Sequence, residues 1–140
     1  MNWSRKKDKS TNEYFYLNEE TGEQSKTKPK EGFRIYHILI KHNKSRKPVN
    51  RTPEDALEKC KNIYNSCKLK INDKDFRMFF MDLAKKESEC SSNKRGGDLG
   101  LVVKNEMVKE FEKACLILKC GGIVGPVKTE SGYHIIYRRW

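Results

Sequence analysis

The chain reads as an α+β protein with a mostly antiparallel sheet, and three features of its 140 residues carry that expectation. The runs Ile35-Tyr36-His37-Ile38-Leu39-Ile40 and Tyr133-His134-Ile135-Ile136-Tyr137 have the β-branched and aromatic content of strands. Three intervening stretches repeat apolar residues at helical spacing. The resulting order, β-α-α-β-α-β-β, implies one sheet with helices beside it.

Residues 1–31 are polar apart from Trp3 and the cluster Tyr14-Phe15-Tyr16-Leu17, and Asn18-Glu19-Glu20-Thr21-Gly22 reads as a turn between short strands. So short a piece buries little core, which makes it a marginal sheet or one that leans on its neighbour. Pro29-Lys30-Glu31-Gly32 is the linker candidate, too short for two domains to move freely. Residues 33–42 form a strand and residues 43–51 a basic loop. Thr52-Pro53-Glu54-Asp55 starts a helix, with Thr as N-cap, Pro at the first position and acids at the positive end of the dipole. Leu57, Cys60, Ile63 or Tyr64, and Cys67 share one face of it. Asn72 or Asp73 opens a second helix striped by Phe76, Phe79, Phe80 and Leu83. Residues 88–97 form a polar loop carrying Cys90, and residues 99–103 a short strand. Met107, Phe111, Ala114 and Leu118 line a third helix stopped by Gly121-Gly122. Residues 124–127 and 133–139 are the last strands, joined by a turn at Glu130-Ser131-Gly132.

Lys and Arg outnumber Asp and Glu by 30 to 19, and unevenly. Residues 1–32 carry seven against six, whereas residues 33–140 carry 23 against 13. Arg34, Lys41, Lys44, Arg46, Lys47 and Arg51 occur with no acid until Glu54. A charged partner would therefore be an anion: phosphate on a protein, nucleic acid or a membrane surface. A purely solubilising face is the competing explanation. The five cysteines, Cys60, Cys67, Cys90, Cys115 and Cys120, lack CxxC spacing. An odd, scattered set fits reduced thiols in the nucleus or cytoplasm better than a disulfide framework or zinc site. No stretch approaches a transmembrane span and the N-terminus lacks the apolar run of a signal peptide, so no membrane is expected. Nothing points to a metal, a cofactor or an obligate oligomer, and a monomer is expected.

Strand alternation puts His37 on one face with Ile35 and Leu39, and His134 on one face with Ile136. A histidine in an apolar strand needs hydrogen-bond partners, or its desolvation is uncompensated. Two such strands point to one paired site that, if the strands are neighbours, could include Cys90 and Thr129. Two separate satisfied core histidines are the competing reading. Lys41 has the parity of His37 and would project towards the same site.

Six motifs follow one another: His37-Ile38-Leu39-Ile40-Lys41-His42, Ser45-Arg46-Lys47-Pro48, Cys90-Ser91-Ser92, Arg95-Gly96-Gly97-Asp98-Leu99-Gly100, Met107 with Phe111, and a last run from Gly125-Pro126-Val127 through Thr129-Glu130-Ser131-Gly132-Tyr133-His134 to Ile136. In order and spacing they resemble the parvulin family of peptidyl-prolyl isomerases, in its phosphorylation-directed branch with an N-terminal WW domain. The resemblance is strong over residues 33–140 and weak over residues 1–30. It implies an FKBP-like four-stranded antiparallel sheet with flanking helices, preceded by a small WW-like all-β domain. It also implies cis/trans isomerisation of phosphoserine-proline and phosphothreonine-proline bonds in partner proteins, without a cofactor, in the nucleus and/or cytoplasm. By the same resemblance His37, Cys90, Thr129, Ser131 and His134 form the catalytic polar cluster. Leu99, Met107 and Phe111 form the pocket for the proline ring, and Lys41, Arg46 and Lys47 hold the phosphate. The family usually has two arginines where this chain has Arg46-Lys47, so phosphate preference should survive with one planar fork fewer.

These residue types suit the reaction. Rotation about an amide faces a barrier of roughly 18–20 kcal/mol, and no bond is made or broken, so the enzyme need only favour the twisted amide over both planar isomers. Leu99, Met107 and Phe111 suit a grip on the ring, Met because it adapts to a moving ligand, though the same spacing also fits plain core packing. Beside two histidines Cys90 has the makings of a nucleophile. The family tolerates a carboxylate at that position, which favours an electrostatic or hydrogen-bonding role.

Trp3, Tyr16, Asn18 and Pro29 match the structural cluster of a WW domain. On that register the second tryptophan of the proline clamp is Lys26, its tyrosine is Phe15, and the phosphate-binding loop serine is Asp8. Residues 1–30 are therefore expected to keep the fold and bind phosphoproline poorly. The alternative is a changed ligand class such as acidic peptides. The helix pair before Cys90 is longer than the family's by about one turn. Two rival functions stay open: a non-catalytic basic module for phosphoproteins or, weakly, nucleic acid, and a thiol hydrolase using Cys90 with His37 or His134. Salt-dependent DNA binding without isomerase activity would mark the first, and loss of turnover on Cys90→Asp the second.

Overall fold

The computed structural model describes residues 2–140. In chain order the elements are β1 (Trp3–Lys7), β2 (Tyr14–Asn18), β3 (Gln24–Ser25), β4 (Phe33–Ile40), α1 (Pro53–Lys70), α2 (Phe76–Glu87), β5 (Asp98–Val102), α3 (Lys109–Ile117), β6 (Ile123–Thr129) and β7 (Gly132–Arg138), with a short 3-10 turn over Ser91–Arg95. Strands β5-β4-β7-β6 form one sheet, antiparallel throughout.

Side-chain alternation along the two central strands divides the core. Pairing of His37 with Ile136 and of Leu39 with His134 puts Ile35, His37, Leu39, His134 and Ile136 on one face. That face lies under α3, where Ile35, Val102, Phe111, Ala114, Cys115, Leu118 and Ile136 form a cluster. The opposite face presents Tyr36, Ile38, Ile40, Ile135 and Tyr137 to Ala56, Cys60, Ile63 and Cys67 of α1 and to Phe76, Phe80 and Ala84 of α2. With both faces covered, β4 and β7 read as continuous apolar runs, in which the histidines are the exceptions.

The helices follow the sequence pattern except at their ends. The Thr52 hydroxyl accepts the Asp55 N–H at 3.1 Å and caps α1, whose buried stripe opens on Ala56 rather than Leu57. The second helix starts at Phe76, not at Asn72 or Asp73. Those residues are spent reversing the chain, with Asp73 N–H donating to Lys70 O at 3.0 Å and Phe76 N–H to Asp73 O at 3.1 Å. Met107 lies before α3, not on it: Asn105 adopts φ +66°, and the Glu112 carboxylate accepts its N–H at 2.8 Å. The helix also ends before Gly121-Gly122, because Leu118 turns extended and buries its side chain in the α3 cluster.

Strands β1-β2-β3 form a separate three-stranded sheet in which Tyr16 lies between Arg5 and Ser25. Trp3 is buried and its indole N–H donates to Glu31 at 3.1 Å. Asn18, also buried, accepts the N–H groups of Glu20 and Thr21 and shapes the following turn. The sheet is bonded to the rest of the molecule through backbone: Arg5 N–H donates to Lys104 O at 2.8 Å and Lys104 N–H to Trp3 O at 3.2 Å. Lys28 and Glu106 add an ion pair at 2.9 Å, drawing in the segment next to half-buried Pro29.

Candidate active site

The register that puts His37 and His134 on one face also joins their rings. They stack with centroids 5.2 Å apart, and the two Nδ1 atoms lie 3.0 Å from each other. His37 Nε2 is 3.2 Å from Ser92 Oγ, and His134 Nε2 is 2.7 Å from Thr129 Oγ1, which also accepts the Ser131 N–H at 3.2 Å. All four ring nitrogens are thus engaged. Two neutral rings satisfy this chain by running their hydrogens in one direction, from Ser92 to Thr129 or the reverse. Both histidines are only 5% exposed. Burial pushes His37 down to about 4. Burial, and then the neighbouring His37, push His134 down to about 3. The pair is uncharged at neutral pH. Phe111 sets its ring edgewise against both imidazoles, at 5.6 and 5.2 Å.

Two glycines let the backbone close around this chain. Gly97 has φ +81° and its carbonyl accepts the His37 N–H at 2.9 Å; a Cβ there would collide with the His37 carbonyl. That approach, with Gly97 N–H donating to Ser92 O at 2.9 Å, brings Ser92 under His37. Gly132 has φ +137°, and its Cβ would strike the Ile40 carbonyl, so the β6–β7 turn tucks against the end of β4.

Beside the turn is a cavity of about 290 Å³ lined by Leu39, Lys41, Arg46, Lys47, Glu89, Cys90, Ser91 and Ser131. Lys41 is fixed at its base, since Glu89 accepts its N–H at 2.9 Å while Arg51 donates to its carbonyl at 2.9 Å and pairs with Glu89. Arg46 is tied to the turn by its N–H, which donates to Glu130 O at 2.8 Å; its guanidinium meets the Glu130 carboxylate at 3.8 Å in the open. Cys90 is half-buried, and among the described residues no hydrogen bond links its thiol to either histidine.

Leu99 and Met107 are half-buried against the same cluster as Phe111. Phe111 is 3% exposed, so the open apolar surface of this trio belongs to Leu99 and Met107. Leu99 follows Asp98, whose carboxylate takes a two-pronged ion pair from Arg34 and the Gly100 N–H at 2.7 Å. Burial alone would raise the Asp98 carboxyl, but these bonds hold it below its ordinary value. The apolar trio touches the histidines through Phe111, and the cation-lined cavity is linked to them through Ser131 and Thr129. The sequence alone assigns no site role to Ser92, Glu89 or Arg51, although Arg51 falls in the basic run. Ser92 lies inside a recognised motif, but a small polar residue in a polar loop has no periodic signal to mark it. On the N-terminal sheet, Asp8, Phe15 and Lys26 line one cavity of about 550 Å³ together with Lys7, Glu13 and Tyr14.

Comparison with known proteins bears on this constellation. The rotamase family model, the PPIC-type PPIase domain, matches residues 37–139. The chain is 40% identical over 112 residues to the peptidyl-prolyl cis-trans isomerase pin1 of Schizosaccharomyces pombe, covering 75% of this chain and 61% of that protein, less than two thirds of its length. It is 34% identical over 149 aligned positions to the peptidyl-prolyl cis-trans isomerase pin1 of Rhizopus delemar, covering 98% of this chain and 95% of that one. The solved structure of the peptidyl-prolyl isomerase ESS1 from Candida albicans superposes with a TM-score of 0.66 at 28% identity, covering 98% of this chain and 93% of that chain.

Proposed function

The chain belongs to the PPIC-type peptidyl-prolyl cis-trans isomerases, and from that premise we propose that it acts on prolyl bonds preceded by phosphoserine or phosphothreonine, by noncovalent stabilisation of the twisted amide. The observation that carries this reading is the cavity of about 290 Å³ in which Lys41, Arg46 and Lys47 meet Cys90 and Ser131, with Ser131 joined to the histidine pair by two hydrogen bonds through Thr129.

Uncatalysed X–Pro exchange takes tens to hundreds of seconds, and its barrier is lost amide resonance. Each group then has one task. Leu99 and Met107, backed by Phe111, take the proline ring. Lys41, Arg46 and Lys47 take the phosphate, Arg46 with a planar fork and the lysines as point charges. With both ends of the dipeptide held, the carbonyl between them swings past Cys90 and Ser131. The neutral histidines fix Thr129, and through it the Ser131 backbone, without adding charge that would compete for the phosphate. The N-terminal sheet, with Lys26, Phe15 and Asp8 in place of a clamp, serves in this reading as a brace rather than as a phosphoproline reader.

The test is the cis/trans exchange rate of Ser-Pro, Glu-Pro and phosphoSer-Pro peptides, measured by NMR exchange spectroscopy. Acceleration greatest for the phosphopeptide is expected. Equal acceleration of all three would remove phosphate selection.

A further inference from the structure

The basic loop over residues 43–51 closes on His42, a buried side chain that takes no part in the histidine pair. The His42 carbonyl accepts the N–H groups of Ser45 and Val49, each at 3.2 Å, and its own N–H donates to Ser45 Oγ at 3.0 Å. Its ring adds one bond into the loop: Nδ1 accepts the Lys44 N–H at 3.1 Å. The loop is otherwise tied at its base by Asn43 N–H to Arg51 O at 2.7 Å and at its tip by Arg46 N–H to Glu130 O at 2.8 Å. The ring tilts against Tyr133, the neighbour of His134, with centroids 5.7 Å apart.

An Nδ1 that accepts a backbone N–H leaves the ring hydrogen of a neutral imidazole on Nε2. That Nε2 is buried and has no hydrogen-bond partner among the described residues, in a residue only 6% exposed. A buried donor left unpaired costs stability, and an apolar side chain of similar size would avoid the cost. Stability therefore does not explain an imidazole here, whereas the bond from Nδ1 to Lys44 does, because it sets the backbone two residues ahead of Arg46.

We propose that His42 is a positioning residue for phosphate recognition: its imidazole holds residues 44–47 in the conformation that turns Arg46 and Lys47 into the cavity beside Cys90. The proposal deepens the phosphate-directed reading above and rests on it.

The experiment compares kcat/KM for phosphoSer-Pro and Ser-Pro peptides in the wild-type chain, in His42→Leu and in His42→Asn, whose side-chain oxygen can still accept the Lys44 N–H. His42→Leu should raise KM for the phosphopeptide and lower its kcat/KM by about tenfold relative to Ser-Pro, and His42→Asn should recover most of that selectivity. In the wild-type protein the Lys44 amide should exchange slowly with solvent, a readout that needs no variant to fold. A wild type that does not prefer the phosphopeptide overturns the underlying reading. A wild type that prefers it, with His42→Leu equally selective or the Lys44 amide exchanging as in an open chain, overturns the role of His42 alone.

Discussion

Replacing Arg46 and Lys47 together by alanine removes two of the three cations that line the cavity and leaves Lys41 pinned between Glu89 and Arg51. A phosphoserine brings a charge of about −1.5 to −2 and three acceptor oxygens. Fully desolvated, each charge-assisted bond to it would be worth about 1.5–3 kcal/mol. The Arg46 side chain is 66% exposed and already faces Glu130 at 3.8 Å, so solvent screening reduces each contribution to roughly 1 kcal/mol. Two together give about 2 kcal/mol, or a fall of about 30-fold in kcat/KM for a phosphoSer-Pro peptide. The rate on an unphosphorylated Ser-Pro peptide should change by less than about twofold, because the cavity that both side chains line is walled by Leu39, Cys90 and Ser131 and not by the apolar trio. Raising the ionic strength should erode the wild-type preference more than that of the double variant, which keeps Lys41 alone. Protease-coupled or NMR exchange assays on the two peptides read both numbers. A parallel fall on both peptides, or none on either, would refute the assignment of these cations to the phosphate.

Three further outcomes are expected. Cys90→Asp should keep turnover within about tenfold of wild type in the same peptide assay, since electrostatic stabilisation needs an electron-rich group there and not a nucleophile. Both histidines have folded-state values below their ordinary 6.5, His37 at about 4 and His134 at about 3. The unfolded chain then binds more protons than the native one below pH 6.5, so stability is complete above that pH and falls as pH drops towards 4. The loss is on the order of 3 kcal/mol for one ring, and urea unfolding at a series of pH values measures it; a flat profile would contradict the buried neutral pair. Trp3→Ala should destabilise the chain by about 3 kcal/mol and speed hydrogen exchange at Lys104, whose amide is bonded to the Trp3 carbonyl.

How much of this could be read in advance depended on which force set each feature. The sheet was legible because β4 and β7 are covered on both faces, which leaves unbroken apolar runs, and a histidine in such a run is conspicuous as a group that must be satisfied. Helix faces were legible from spacing, but helix ends were not. The start of α2 depends on where the chain can reverse after Lys70, and the start of α3 on a carboxylate, Glu112, reaching back to Asn105. That second contact is what moves Met107 off the helix. The braces of the site left no pattern at all: Ser92 beneath His37, Ser88 accepting the Leu39 N–H at 3.0 Å, and the Arg51–Glu89 pair around Lys41 join segments far apart in sequence. The bond of β1 to Lys104 is equally remote, and the small size of residues 1–30 and the short linker after them were the hints that such support was needed.

The hydrogen-bond chain also separates isomerisation from thiol hydrolysis. A hydrolytic Cys90 would need a histidine nitrogen free to take its proton, yet His37 and His134 spend theirs on each other, on Ser92 and on Thr129. Freeing one would break a bond in a buried chain and leave a partner unpaired. The same reasoning weighs against a plain basic binding module, which could display its lysines without burying two hydrogen-bonded imidazoles beside them. An isomerase that must hold its substrate while an amide rotates has a use for a stiff uncharged support. The imidazole pair, locked at both ends by hydroxyls and braced by the Phe111 ring, has that character.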